Sequence, residues 1–425
     1  MKNIWVIFYN FLVTPVFYAG IRIAGLFNAK IREGINGRKR IFENLILSAA
    51  SLDKTKKLVW FHSSSLGEFE QAKPIIQELK KNEDINILVT FFSPSGFENS
   101  KKYPFADIVS YIPFDSRINA KRFIQLTKPD LAVMMRYDIW PNHIWALRKE
   151  NIPCFIVDAT MRLDSARNLA VINNFHMQLY TAFDKILTVS KNDLEGFKNF
   201  GCTDEQLKAV GDTRFDRVFQ RSQTAKEKML IRDEVLKDKK VFVAGSTHEM
   251  DEDVILPAFK KLSKNDKDLL LIIAPHEPTL LHLEKIENEF IGELETIRFS
   301  FLNNYKNERV IIIDSIGILL TLYTYADAAF VGGSFKQGIH NVLEAAVYGI
   351  PVMFGPRIQT SQEAQELQKR GGGIMIKTRT NAYRQMRTLF SNDEYRKSKG
   401  EIAHKYVQEN LGASEKILEE IYKII

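Results

Sequence analysis

Two stretches of this chain combine residue types that can do chemistry with spacing that could gather them at one place. In the first, Ser63-Ser64-Ser65-Leu66-Gly67-Glu68 follows an apolar run, Leu58 to His62. Hydroxyls and a glycine at a strand end make a tight turn, and Glu68 then opens a helix. As structure, Glu68 is a first-turn acid favoured by the helix dipole. As chemistry, a carboxylate there could take the proton from a hydroxyl as it attacks an electrophile. The second stretch leaves the apolar run Ala328 to Val331 through Gly332-Gly333-Ser334 and a loop holding Gly338. The spacing predicts a helix capped by Asn341 and running through Val347, then a buried strand, Ile350 to Phe354, closing on Gly355-Pro356. Glu344 shares a helix face with His340 and Asn341, where it could accept hydrogen bonds from ribose hydroxyls. Packing glycines and a helix-start acid are the plainer account of the same residues. Between these stretches, Gly245-Ser246-Thr247-His248 ends the run Val241 to Ala244, and small residues with backbone amides can cradle a phosphate. The acids that follow, Glu249, Asp251, Glu252 and Asp253, read as an acidic helix start in preference to a metal site.

Each candidate follows a short apolar run, so the elements that must position them are strands. Leu58 to His62, Ile85 to Phe92, Ile108 to Ile112, Leu131 to Met135, Ile152 to Val157, Lys185 to Val189 and Leu207 to Val210 alternate with helical patterns or turns. Such alternation argues a parallel sheet wound with helices on both faces. The composition turns charged and helical around Gly211 to Lys240, and a second alternation runs from Val241 through Leu269 to Ala274 and Val310 to Ile313. The expected α/β organisation is therefore a domain over residues 41–210, a connection over 211–240, and a second domain over 241–425 with a helical tail from Asn381. Ligands bind open parallel sheets beyond the carboxyl ends of the strands, and anions favour helix N-termini.

The order of these residues resembles the GT-B glycosyltransferases, and most closely the Kdo transferases, which move 3-deoxy-D-manno-octulosonic acid from CMP-Kdo to lipid A precursors. Their nucleotide-binding segment reads roughly Gly-Gly-Ser, a glycine-rich gap, His-Asn-Pro-Leu-Glu, then Pro-Val-Leu-Phe-Gly-Pro. Here Gly333, Ser334, Gly338, His340, Asn341, Val342, Leu343 and Glu344 stand in those places, with Val342 replacing the proline. The family's Ser-x-Gly-Glu places its general base at Glu68. Its Glu-Thr-Glu-Leu-Trp-Pro-Asn is Arg136-Tyr-Asp-Ile-Trp-Pro-Asn142 in this chain, so Asp138 stands for the glutamate that supports the transition state and Arg136 reverses a charge. Arg214, in Gly211-Asp-Thr-Arg-Phe-Asp216, takes the place of a lysine that stabilises transition-state charge, with altered donor geometry. Ala274-Pro275-His276 matches the family's Ala-Pro-Arg-His-Pro in part, with the arginine missing, and Gly317, Ile318 and Leu319 resemble a loop that touches cytosine through backbone atoms. Arg162 resembles a residue that could meet the sugar carboxylate, and a surface ion pair accounts for it equally well. The resemblance implies two doubly wound domains facing across a cleft, a CMP-Kdo donor, a lipid A precursor (lipid IVA) as acceptor, inversion at the anomeric carbon, and neither cofactor nor bound metal. A GT-B lipid glycosyltransferase using a UDP-sugar, and a catalytically inactive membrane-anchored nucleotide-binding protein, remain the alternatives.

The 425 residues suffice for two or three domains with real cores, and a net charge of +7 suits an anionic partner. No recognition helix, aromatic RNA-binding strand or zinc pattern points to nucleic acid. The only cysteines, Cys154 and Cys202, exclude a disulfide framework and suit a reducing compartment. Ile4 to Phe27 is nearly all apolar and aromatic, broken by Asn10, Thr14-Pro15 and Arg22. Residues 1–40 are thus expected to form a membrane anchor with a basic flank, Lys30, Arg32, Arg38, Lys39 and Arg40. That asymmetry would hold the rest of the protein on the cytoplasmic side, and the resemblance implies the inner membrane. The charge lies on the wrong flank for a cleaved signal peptide, and Pro15 and Arg22 leave open whether the helix spans or lies in the interface.

Overall fold

The computed structural model describes residues 2–425 except 164, 166, 168 and 337. Gln337, in the loop that holds Gly338, lies outside the described residues. Seven strands come first: β1 (Lys57–Ser63), β2 (Ile85–Phe91), β3 (Ile108–Tyr111), β4 (Leu131–Met135), β5 (Cys154–Ala159), β6 (Lys185–Thr188) and β7 (Leu207–Ala209). They pair in parallel in the order β3-β2-β1-β4-β5-β6-β7. The second series is β8 (Lys240–Thr247), β9 (Leu269–Pro275), β10 (Thr296–Arg298), β11 (Val310–Ile312), β12 (Ala328–Val331), β13 (Val352–Phe354) and β14 (Gly373–Met375). Its strands are also parallel, in the order β10-β11-β9-β8-β12-β13-β14.

Parallel strands covered on both faces are apolar on both. In the first sheet Val59, Phe61, Val133 and Met135 belong to one core, and Trp60, Leu88, Ala132 and Met134 to the other. The consequence for function lies in strand order. β1 is flanked by β2 and β4, and β8 by β9 and β12, so at each place the winding reverses and the neighbouring loops part. Those reversals are where a doubly wound sheet leaves room for a ligand.

The chain forms two compact units, one running to Arg217 and taking back Leu411–Ile425, the other spanning Val218–Asn410. This differs from the expected boundaries. The passage between units falls inside the helix Thr213–Lys226, and the tail is divided. Its last helix, Ala413–Ile421, buries Ile417, Leu418 and Ile421 in the core beneath β1, β2 and β4. A hydrophobic stripe decides that helix's home, whatever its place in the chain.

Ile4–Phe27 is long and apolar enough to cross a membrane by length and composition. One flank nevertheless packs on the first unit. The Tyr9 hydroxyl donates to Asp115 Oδ2 at 2.8 Å, and Phe17 meets Phe92 and Trp140. Residues 1–40 therefore do not stand apart from the first unit. Arg38, expected in a basic flank, is buried, donating from Nε to Ile112 O at 2.9 Å and from Nη2 to Phe92 O at 2.6 Å. Its guanidinium also lies over the rings of Phe92, Tyr111 and Phe114, a cation held by carbonyls and π faces.

Candidate functional site

In the first unit the candidates gather where β1, β4 and β5 end. Ser65 caps the helix Leu66–Leu79, and Glu68 completes a capping box, accepting from the Ser65 backbone N–H at 3.1 Å. The structural role foreseen for Glu68 is therefore real, but its surroundings go further. Burial raises its pKa, the Asp138 carboxylate raises it again, and the Ser65 and Ser64 amides and His62 only partly offset this. A carboxylate tuned upward is a better proton acceptor near neutral pH. Asp138 is held from behind. His62, fully buried at the end of β1, places Nε2 2.6 Å from Asp138 Oδ2 and Nδ1 2.8 Å from Thr90 Oγ1. The Trp140 indole N–H also reaches His62 Nε2, at 3.1 Å. That nitrogen can serve only one of them, by donating to Asp138 or accepting from Trp140, and the Asp138 contact is the shorter.

A second carboxylate group adjoins the first. With the Gln71 amide oriented to satisfy both neighbours, its oxygen accepts from Arg136 Nη1 at 3.0 Å and its nitrogen donates to Asp158 Oδ2 at 3.2 Å. Asp158 also accepts from the Thr213 backbone N–H at 3.1 Å and from the Thr213 hydroxyl. Burial and the charge of Asp212 push Asp158 up to about 7. Arg214 lies against Asp212, with Nε 2.9 Å and Nη2 2.5 Å from Oδ2. Arg136 and Asp158 both have left-handed backbones, φ 61° and 53°, at the ends of adjacent strands. Such backbone costs about 1–3 kcal/mol and persists only where neighbours enforce it.

In the second unit three loops converge at the carboxyl ends of β8, β9 and β12. His248 follows β8, His276 follows β9, and His340 lies beyond β12. His248 Nε2 and His340 Nε2 are 3.2 Å apart, and the His276 and His340 rings stack with centroids 4.4 Å apart. Burial and the two neighbouring imidazoles push His340 down to about 4. Asp251 ties the loops together: its carboxylate accepts from the backbone N–H groups of His248 at 2.9 Å, Gly333 at 2.8 Å and Phe335 at 3.3 Å. Gly332 and Gly333 permit that approach. A Cβ on Gly332 would lie 2.2 Å from Ser246 O, and one on Gly333, where φ is 93°, would lie 2.9 Å from His340 Cδ2.

The other expected donor residues divide into surface and support. Asn341 is exposed, and its Oδ1 accepts from Leu343 N at 3.1 Å. Glu344 is half-buried with Oε1 3.4 Å from Arg221 Nη1. The helix there is a single turn, Leu343–Ala346, shorter than expected. Val342 and Leu343 are buried core residues that fix the turn. Ser334 Oγ faces inward and accepts from Gly355 N at 2.6 Å, while the Thr247 hydroxyl donates to buried Glu252 at 2.7 Å. Both side chains are thus structural, leaving backbone to face any ligand. Ser246 takes the left-handed φ of 53° where the β8–β9 register slips, and Gly245 lies under Tyr323 and Leu319. Pro275 ends β9, Gly338 accompanies His340 in its loop, and Gly317 and Ile318 lead into the short helix Leu319–Leu322. His62, Gln71, Asp158 and Arg221 were given no role in the sequence, and Asp251 was read only as a helix-start acid. His62 alone had a signal, a polar residue ending an apolar strand directly before the serine turn.

The fold is similar to UDP-GlcNAc 2-epimerase from Neisseria meningitidis bound to UDP-GlcNAc, with TM-score 0.61 and 17% identity over 87% of this chain and 100% of that one. It is also similar to MurG of Acinetobacter baumannii, with TM-score 0.55 and 14% identity over 87% and 99% of the two chains. With its two parallel seven-stranded sheets, each bearing clustered polar groups where its winding reverses, the protein is of the GT-B class. A family profile described as 3-Deoxy-D-manno-octulosonic-acid transferase (kdotransferase) matches residues 39–217. The 3-deoxy-D-manno-octulosonic acid transferase of Aquifex aeolicus is 32% identical over 348 residues, 80% of this chain and 88% of that protein. That of Rickettsia bellii is 27% identical over 98% of this chain and 97% of its own. The chain belongs to the 3-deoxy-D-manno-octulosonic acid transferase family, and is a glycosyltransferase.

Proposed function

We propose that the protein transfers 3-deoxy-D-manno-octulosonic acid from CMP-Kdo to a lipid A precursor such as lipid IVA, with inversion at the anomeric carbon. The observation that carries the reading is the pairing of unlike groups at like places. A carboxylate raised by burial and by Asp138 lies beside the β1–β4 reversal, and imidazoles and small residues lie beside the β8–β12 reversal. In this reading the acceptor hydroxyl oxygen forms a bond to the anomeric carbon and its proton passes to the Glu68 carboxylate. The bond from that carbon to the phosphate oxygen breaks, and its electron pair leaves on CMP. Asp138 keeps Glu68 basic, and Arg214 offsets charge on the departing phosphate. Asn341 and Glu344 hold the ribose, and the backbone of Gly317 to Leu319 meets the cytosine. The displacement at carbon uses protein groups alone.

The acceptor is a membrane lipid in this reading, and the N-terminal helix lies in the interface on the cytoplasmic face of the inner membrane. A helix packed on the first unit through Tyr9 and Phe17 presents a continuous apolar flank, with Ile4, Phe11, Val16, Ile23, Leu26 and Phe27 exposed. Phe11→Asp with Leu26→Asp should lower partition of the folded protein onto anionic vesicles at least about tenfold. Undiminished partition would reject attachment through this flank. For the activity itself, purified protein is incubated with a CMP-Kdo generating system and lipid IVA, and the product is weighed. A mass rise of whole Kdo units is expected. A product formed from a UDP-sugar and none from CMP-Kdo would overturn the reading.

A further inference from the structure

We infer that the N-terminal apolar helix belongs to the frame of the catalytic site: through Phe17 and Tyr9 it positions Asp138, in addition to any contact it makes with lipid. The flank it turns outward is apolar and exposed. The flank it turns toward the first unit carries Tyr9, Asn10 and Phe17, about two turns apart on one face. Attachment to lipid needs neither a hydroxyl nor an amide on that flank, yet both are hydrogen-bonded to the same part of the first unit. The Tyr9 hydroxyl donates to Asp115 Oδ2 at 2.8 Å, and Asn10 Nδ2 donates to Asn142 Oδ1 at 3.0 Å. The helix takes a π-helical turn at Tyr9–Val13, a departure from α geometry that occurs frequently at functional sites.

These contacts converge on the segment that carries Asp138, between the end of β4 and the helix Pro141–Lys149. Backbone bonds within it are local, Asp138 N to Met135 O at 3.3 Å and Ile139 N to Tyr137 O at 3.1 Å, so its course depends on what holds its far end and on Trp140. The far end is pinned on buried Asp115. Trp140 stands at the helix N-cap without a side chain that can cap, and the Asp115 carboxylate does so from another loop. It accepts from the backbone N–H groups of Asn142 at 3.1 Å and His143 at 3.2 Å, and Tyr9 donates to the same oxygen as Asn142. Trp140 itself stacks on Phe92, with centroids 4.7 Å apart, and Phe17 lies against both rings, at 5.9 and 6.3 Å. The indole N–H is thereby kept 3.1 Å from His62 Nε2, the nitrogen that lies 2.6 Å from Asp138 Oδ2. Without Phe17 the half-buried indole loses one of the rings packed on it, and with it the fixed approach to His62. Phe17, Tyr9 and Trp140 are thus positioning residues that act on Asp138 through its loop and through His62. That the helix holds the loop stands on this geometry alone. That Asp138 then serves the transfer rests on the function proposed above.

Full-length protein with isotope-labelled histidine and tryptophan is compared in detergent as parent, Phe17→Ala, Phe17→Tyr and Tyr9→Phe. Nuclear magnetic resonance reads the His62 imidazole and the Trp140 indole, assigned through His62→Gln and Trp140→Phe. Turnover is measured on a detergent-dispersed acceptor, which removes attachment to a bilayer from the assay. Phe17→Ala should shift both signals and lower kcat at least about tenfold, because a catalytic group displaced by about 1 Å can cost roughly 100-fold. Acceptor KM and CMP affinity should stay near parental, the mark of an interaction felt in the transition state. Phe17→Tyr keeps the ring and should restore both the signals and kcat. Tyr9→Phe removes one hydrogen bond and keeps the packing, so it should move the same signals less, and it tests the coupling even where Phe17→Ala does not fold. Circular dichroism and melting of each variant check the fold. His62 and Trp140 signals that stay in place in folded Phe17→Ala and Tyr9→Phe overturn the inference. So does a parental kcat with the signals shifted, or a loss confined to acceptor KM, which would make Phe17 an acceptor contact. If the parent transfers no Kdo, the proposed function fails, and the two signals alone still decide whether the helix holds His62 and Trp140 in place.

Discussion

The two units repeat one topology with opposite chemistry. Each sheet reverses its winding beside its first strand, at β1–β4 and at β8–β12. In the first unit the place fills with carboxylates, Glu68, Asp138, Asp158 and Asp212, whose arginines and donors come from within the same unit. In the second it fills with imidazoles, glycines and backbone amides, and the buried carboxylate of Asp251 is spent on holding loops together. A sheet reversal supplies room and says nothing about the reaction. In the proposed function, side chains at the strand ends make one place a proton acceptor and the other a seat for an anion. For a transferase that division is the required one, because the proton lost by the acceptor and the charge gained by the leaving group arise on different molecules.

The comparison breaks most sharply at Glu68. Glu68→Gln keeps the capping box, since glutamine can also accept from Ser65 N, but removes the proton acceptor. Turnover should fall by about 10²–10⁴-fold while CMP affinity stays near parental. If the folded variant turns over at a parental rate, Glu68 is a cap and nothing more, and Asp138 becomes the candidate base. In the second unit the expected effect is smaller and of another kind. Glu344→Gln removes a charged acceptor, whose hydrogen bonds are worth about 1.5–3 kcal/mol, so CMP binding by calorimetry should weaken about tenfold or more. Loss of turnover without loss of CMP affinity would refute the ribose assignment. It would also erase the division of labour between the units.

How legible these sites were depended on how local their causes are. Buried strands announced themselves as apolar runs, and β4 and β12 have the bounds the sequence suggested, Leu131–Met135 and Ala328–Val331. The edges of the second sheet did not: β10 (Thr296–Arg298) and β14 (Gly373–Met375) are three-residue strands defined by their neighbours' hydrogen bonds. Glu68, Asp138, His340 and Glu344 could be named because each follows a strand in an ordered motif. Asp158 and Asp251 could not. Asp158 looks like one more residue of a strand, and Asp251 like one of four acids beginning a helix, until partners 55 and 82 residues away reveal them. The three histidines were each visible singly, but their convergence follows from strand order in a sheet, which no window of sequence contains.

The gentlest test asks whether the buried carboxylates of the first unit carry the cost that their burial implies. Asp158 is raised from 3.8 to about 7 by burial and by Asp212. Between those values the folded protein holds a proton there that the unfolded chain has released. Stability is therefore greatest at the acid end of the window and falls as pH rises toward 7, by at most about 1.4 kcal/mol per pH unit for one proton. Above the folded value the loss is complete and the slope disappears. Asp158→Asn cannot titrate, so its thermal midpoint should decline less than the parent's between about pH 5 and pH 7. Thr213→Val removes one donor that favours the carboxylate, raising Asp158 further and extending the parental decline to higher pH. The readout is the slope and not the absolute midpoint, because asparagine also turns an amide group toward Gln71 and Thr213. Equal slopes in parent and Asp158→Asn would mean that Asp158 is charged throughout the range. The carboxylate cluster would then be held by its arginines instead of by a shared proton, and the two units would differ less in character than their residues suggest.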